Sequence, residues 1–137
     1  MKQQIFTKLA ALLLFFSLFS NAFAQGADST KPNILADTQW TGIVNAPSPE
    51  QMTFSFSEKV LDLLYEGQSI ETMNYTVDRN IITLTKLSGG SPCTVNSTGS
   101  YTFTNKDNNL TFSLVNDECD ARIAAFDPQG YTLVEKK

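Results

Sequence analysis

The segment Met52-Thr53-Phe54-Ser55-Phe56-Ser57 decides the reading of the chain, because large apolar and small polar side chains alternate through it without a break. A period of two sends neighbours to opposite faces of a sheet, whereas a helix needs apolar residues three and four apart. Outward from this segment the same rhythm returns at Leu61, Leu63 and Tyr65, at Met73, Tyr75 and Val77, and at Ile82 and Leu84. It continues at Tyr101 and Phe103, at Leu110, Phe112 and Leu114, and at Tyr131 and Leu133. With the segment around Trp40 this makes about eight strands, and no helical stripe of useful length interrupts them. Turn-forming residues fall between the runs, at Asn45 to Pro49, Glu66-Gly67, Asp78 to Asn80, Ser88 to Pro92, Asn105 to Asn109 and Asp127 to Gly130. Successive strands with short links pair antiparallel, and a series of eight without a helix to cover an open edge favours a sheet closed on itself. The expected fold is therefore all-β, an up-and-down antiparallel barrel, with a two-sheet sandwich as its rival.

The start of the chain has another character. Lys2 and Lys8 precede an apolar run from Leu9 to Phe19, and Asn21-Ala22-Phe23-Ala24 follows with small residues where a signal peptidase reads. This is the pattern of a secretory signal over residues 1–24, since a membrane anchor needs about 20 apolar residues. No cysteine follows to carry a lipid, so a periplasmic or secreted protein without a membrane anchor is expected. Residues 25–34 are polar and aperiodic and read as a flexible leader, leaving residues 35–137 as one barrel domain. Without Lys2 and Lys8, eight basic residues face fourteen acidic ones, a balance of −6. The remaining cations are scattered, which argues against nucleic acid as a partner.

The chain contains no histidine and two cysteines, which removes most metal-ligand sets and every nucleophile–histidine arrangement. No cofactor and no metal site are expected. The sequence midpoint of Cys93 and Cys119 falls at residue 106, inside the polar turn Asn105 to Asn109. A hairpin folded there sets Tyr101 near Phe112 and Phe103 near Leu110, and brings the two cysteines together at its open end. In an exported protein such a pair is expected to oxidise. Closing that loop is worth roughly 3 kcal/mol in the chain-entropy model.

Trp40, the single tryptophan, lies at the start of the first strand, and Arg122 lies late in the chain within Asp117-Glu118-Cys119-Asp120-Ala121-Arg122. If the barrel closes, first and last strands become neighbours, and the guanidinium can lie on the indole face. A Trp near a Gly in the first strand, an Arg near the end and about eight meandering strands resemble the lipocalin or calycin group. Gly99-Ser100-Tyr101 followed by Asp117-x-Cys119-x-x-Arg122 is similar to small secreted bacterial lipocalin-like domains. The resemblance spans Leu35 to about Val134 and implies that Trp40 and Arg122 are structural, packed across the closed end. The sequence departs from the pattern in placing Gly42 after the Trp, with Thr38 at the usual glycine position. Lipocalins also carry a helix before the last strand, for which this chain leaves little room.

Phe54, Phe56, Tyr65, Met73, Tyr75, Tyr101, Phe103 and Phe112 share the inward face and are the candidate ligand-binding residues. An eight-stranded barrel is about the size at which side chains either fill the interior or leave space for one small ligand, and both outcomes fit this set. The acidic group Asn116, Asp117, Glu118 and Asp120 reads as a polar loop beside the disulfide, with Asp117 or Asp120 pairing with Arg122. The expected function is binding without catalysis by a monomer: capture of a small hydrophobic molecule in the barrel mouth. A protein-binding module such as a periplasmic protease inhibitor-like barrel is the alternative, and an enzyme using the Asp117 to Arg122 segment is a third reading. Selectivity is expected at the loops Ser88 to Pro92 and Asp127 to Gly130.

Overall fold

A computed structural model describes residues 32–45, 47–126 and 130–136. The signal segment 1–24, most of the leader and residues 127–129 of the last expected turn lie outside the described residues. Eight antiparallel strands follow in chain order: β1 (Thr38–Asn45), β2 (Pro49–Phe56), β3 (Val60–Tyr65), β4 (Gln68–Asp78), β5 (Ile81–Gly89), β6 (Thr98–Lys106), β7 (Asn109–Asp117) and β8 (Gly130–Lys136). Each pairs with the next, and β8 pairs with both β7 and β1, so the sheet closes into a barrel and the sandwich is excluded.

The alternation that marks β2 in the sequence is its burial pattern: Met52, Phe54 and Phe56 are buried while Thr53 and Ser55 are half-exposed. The two-residue links suit this twist. Asp107 and Asn108 between β6 and β7 both have positive φ, as do Glu66 and Gly67 between β3 and β4, the backbone state of the tight hairpin turns that match strand twist. The tight turn at Asp107-Asn108 corrects the hairpin register. Lys106 pairs with Asn109, and Phe103 pairs with Phe112 and Tyr101 with Leu114, these last two each two residues along from the expected partner. Beyond Tyr101 a bulge leaves Val115 without an opposite residue, so Asp117 pairs with Gly99. Leu114, expected on the inward face, is exposed. The slip still brings Cys93 and Cys119 together as a disulfide, with Cα atoms 5.5 Å apart.

A seven-residue helix, α1 (Asp120–Phe126), precedes β8. The sequence reading left little room for it, yet seven residues shortly after β7 suffice. Arg122, Ala125 and Phe126 are its buried positions, three and four apart, and they face the barrel. β8 pairs with β7 only through Gly130–Thr132, so the upper halves of β7 and β1 have no strand between them, and α1 packs against both.

The two ends of the barrel differ. At one, the strands are joined by residues 57–59, 79–80 and 107–108, and the segment before β1 folds in: Leu35 is fully buried, and Asn33 Nδ2 donates to the Tyr75 hydroxyl at 2.7 Å. Thr38 Oγ1 donates to the Leu35 carbonyl and accepts from the Trp40 indole N–H at 2.7 Å, which fixes the indole within this closed end. At the other end lie residues 47–48, 66–67, the long loop 90–97 and α1.

A solid aromatic cluster fills the middle of the barrel. Phe126 stacks on Phe54 with ring centroids 4.8 Å apart and meets Phe112 edge-on at 5.1 Å, while Tyr131 lies 4.5 Å from Phe54. Among the described residues no helix is long and apolar enough to cross a membrane.

Candidate functional site: an apolar cavity with a buried ion pair at its wall

Above the aromatic cluster, between the barrel wall and α1, lies a cavity of about 660 Å³. Val44, Met52, Leu63, Met73, Ala125 and Phe126 give it an apolar lining, and Gly90, Ser91 and Pro92 of the long loop border its mouth. The strand parity that buries Ile82 and Leu84 also turns Lys86 inward, and the parity of Met73 and Tyr75 turns Glu71 inward on the neighbouring strand. Both charged side chains are buried, and they meet with Lys86 Nζ 3.2 Å from Glu71 Oε1. Lys86 Nζ also donates to the Ser91 carbonyl at 2.7 Å and to Ser91 Oγ at 3.0 Å. Ser91 in turn donates its hydroxyl to Glu71 Oε1 at 2.6 Å and its backbone N–H to Oε2 at 3.2 Å. Gly89, opposite Glu71, has φ +131° and lies so close to the carboxylate that a Cβ there would overlap it. Breaking such a buried pair by removing one partner costs far more than the pair contributes net, because the charge left behind is desolvated and unpaired.

A second buried pair holds α1. Arg122 Nε lies 2.5 Å from Asp117 Oδ2 and Nη2 lies 2.8 Å from Oδ1, a two-pronged contact in which the Asp117 side chain is fully buried. The Tyr101 hydroxyl donates to the same Oδ2 at 2.5 Å, and the Cys119 backbone N–H donates to Oδ1 at 2.9 Å. Burial works against the charge on Asp117, but the bonds from Arg122, Tyr101 and Cys119 outweigh it and hold the carboxyl below its ordinary value. Gly99 makes room for this contact, since a Cβ at that position would run into the Asp117 carboxylate.

Arg122 is thus tied to Asp117 and Ser97 at the open end, whereas the Trp40 indole is bonded to Thr38 toward the closed end. The expected packing of guanidinium on indole gives way to two separate buried anchors. The reason is α1: Arg122 sits on its inner face directly after the disulfide, within reach of the last residue of β7.

Of the eight candidate ligand-binding residues, Met73 borders the cavity. Phe54, Tyr101, Phe103 and Phe112 belong to the central aromatic cluster, Phe56 packs edge-on against Tyr75 toward the closed end, and Tyr65 is half-buried against the core. The interior is filled and open at once, with aromatic rings below and an aliphatic cavity above. Glu71 and Lys86 escaped the sequence reading, although opposite charges at inward-parity positions of adjacent strands were a signal present in the chain; Ser91 lies in the loop Ser88 to Pro92 where selectivity was expected.

Three tyrosines carry a consequence for alkaline stability. Burial raises the pKa of Tyr75, Tyr101 and Tyr131, and for Tyr101 the neighbouring Asp117 raises it further. The folded chain keeps these protons when the unfolded chain releases them, so the stabilisation is complete below the unfolded value of about 10 and declines as pH rises above it. Absorbance of tyrosinate and loss of circular dichroism are expected to rise together above about pH 10. Early ionisation of two or more of the four tyrosines in a still-folded protein would contradict this.

The fold and the site together define a closed eight-stranded barrel, sealed by aromatic packing and open through an apolar cup beneath a short helix. No protein-family model matches the chain, and no curated protein or solved structure is similar enough to match it.

Proposed function

We propose that the protein is an exported, monomeric, lipocalin-like binding protein that holds a small apolar molecule in the open end of its barrel. The observation that carries this reading is the cavity of about 660 Å³ lined by Val44, Met52, Leu63, Met73, Ala125 and Phe126. Its size falls within the range of pockets that take drug-sized ligands, and such pockets combine apolar walls with a few placed polar groups. The up-and-down strand order and the short helix before β8 support the lipocalin-like comparison, while the separate anchoring of Trp40 and Arg122 departs from it. The disulfide supports an oxidising compartment, where such bonds persist.

Titration with a fluorescent apolar probe tests the reading. Saturable binding with one site per chain is expected, together with a rise in thermal midpoint in the presence of the probe. Ala121→Trp, on the half-buried face of α1 that borders the cavity, is expected to weaken probe binding by about tenfold or more by occupying the mouth. Absence of saturable binding in the unmodified protein would remove the proposal.

A further inference from the structure

Among the buried side chains that border the cavity, the free hydrogen-bonding capacity is of one kind; Asn45, whose amide can also donate, borders it but is exposed. Lys86, the partner of Glu71, does not border the cavity, and its ammonium is directed to Ser91 O, Ser91 Oγ, Glu71 Oε1 and, at 3.4 Å, Gly89 O. An ammonium has three protons, so these four acceptors exhaust it. Arg122 borders the cavity, but its guanidinium is turned to Asp117 and to Ser97. The Ser91 hydroxyl proton goes to Glu71. What remains among the buried side chains of the wall is acceptor capacity. Glu71 borders the cavity and is nine-tenths buried, and among the described residues its Oε2 receives only the Ser91 N–H, which leaves a lone pair of that oxygen free. The other carboxylate bordering the cavity is Asp120, exposed at the start of α1.

We propose that the cavity selects apolar molecules headed by a neutral hydroxyl, such as long-chain alcohols, which donate to Glu71, and rejects the corresponding carboxylates. This rests on the binding function proposed above and adds the ligand class. An alcohol places its proton on the free lone pair of Oε2 and its chain among Met52, Leu63 and Met73. A carboxylate brings only acceptors, finds the neighbouring cations already paired, and faces the charges of Glu71 and Asp120. A ligand that merely lacks the proton leaves the buried acceptor without the gain, which is the larger source of discrimination in polar recognition.

Displacement of the bound apolar probe at pH 8 by dodecan-1-ol, its methyl ether and dodecanoate, each below its aggregation limit, separates the possibilities. The alcohol is expected to displace the probe at about tenfold lower concentration than either of the others. In Glu71→Gln, whose amide can donate, the gap between alcohol and dodecanoate is expected to close; the comparison of ligands on the unmodified protein stands even if that variant does not fold. Equal displacement by alcohol and methyl ether, or tighter binding of dodecanoate, overturns the inference and leaves the cavity-binding function intact. Failure of the probe itself to bind removes the binding function and this inference with it.

Discussion

Arg122→Ala is expected to lower stability at pH 7 by about 3–5 kcal/mol, the range found when one member of a buried ion pair is removed. The substitution strands Asp117, whose side chain is fully buried and which then keeps only the Tyr101 hydroxyl and the Cys119 N–H as partners. The change in pH dependence distinguishes this cause from simple loss of packing. In the unmodified protein the folded carboxyl lies below its ordinary value, so its contribution is complete above the unfolded value of about 3.9 and is lost as pH falls through the folded one. In the variant the bonds from Arg122 no longer oppose burial, so the folded carboxyl binds its proton more readily than in the unmodified protein, and acid relieves the stranded charge. The stability difference between the two proteins is therefore expected to shrink as pH drops below about 4, as read from urea unfolding at a series of pH values. A difference that stays constant from pH 3 to 7 would assign the loss to packing alone.

The architecture was legible because burial in a closed barrel enforces a period of two, and Met52, Phe54 and Phe56 display it without interruption. The same rule, applied to charged residues, would have placed Glu71 and Lys86 inside; reading only apolar side chains for parity hid the polar part of the site. Register was harder. The bulge opposite Tyr101 adds a residue to β7 and changes which side of that strand faces inward, and nothing in Leu114-Val115-Asn116 marks the insertion. The helix escaped because seven residues give a 3.6-residue period only two turns in which to show itself, and Ala121, Ala124 and Ala125 blur its faces. That helix decides the site. It draws Arg122 away from Trp40, sets Phe126 among the aromatic rings, and roofs a space that the aromatic strand residues would otherwise be expected to line.

Phe126→Ala is expected to lower stability by about 3–5 kcal/mol, as for other buried aromatic truncations. The ring is almost wholly buried between Phe54, Tyr101 and Phe112, with centroids 4.8, 5.2 and 5.1 Å away. A helix of this length has little stability of its own, so its docking depends on Phe126, on Arg122, on the disulfide at its start and on Tyr131, whose hydroxyl donates to the Ala125 carbonyl. Faster hydrogen exchange is expected through residues 120–126, while the β2–β5 wall keeps its protection. Phe126 also forms part of the cavity floor, so its removal joins the new void to the existing space. An apolar probe that binds the cup should fill part of that void, and it is expected to raise the thermal midpoint of the variant by more than it raises that of the unmodified protein. Equal shifts in the two proteins would mean that the bound probe does not reach the floor on which Phe126 lies.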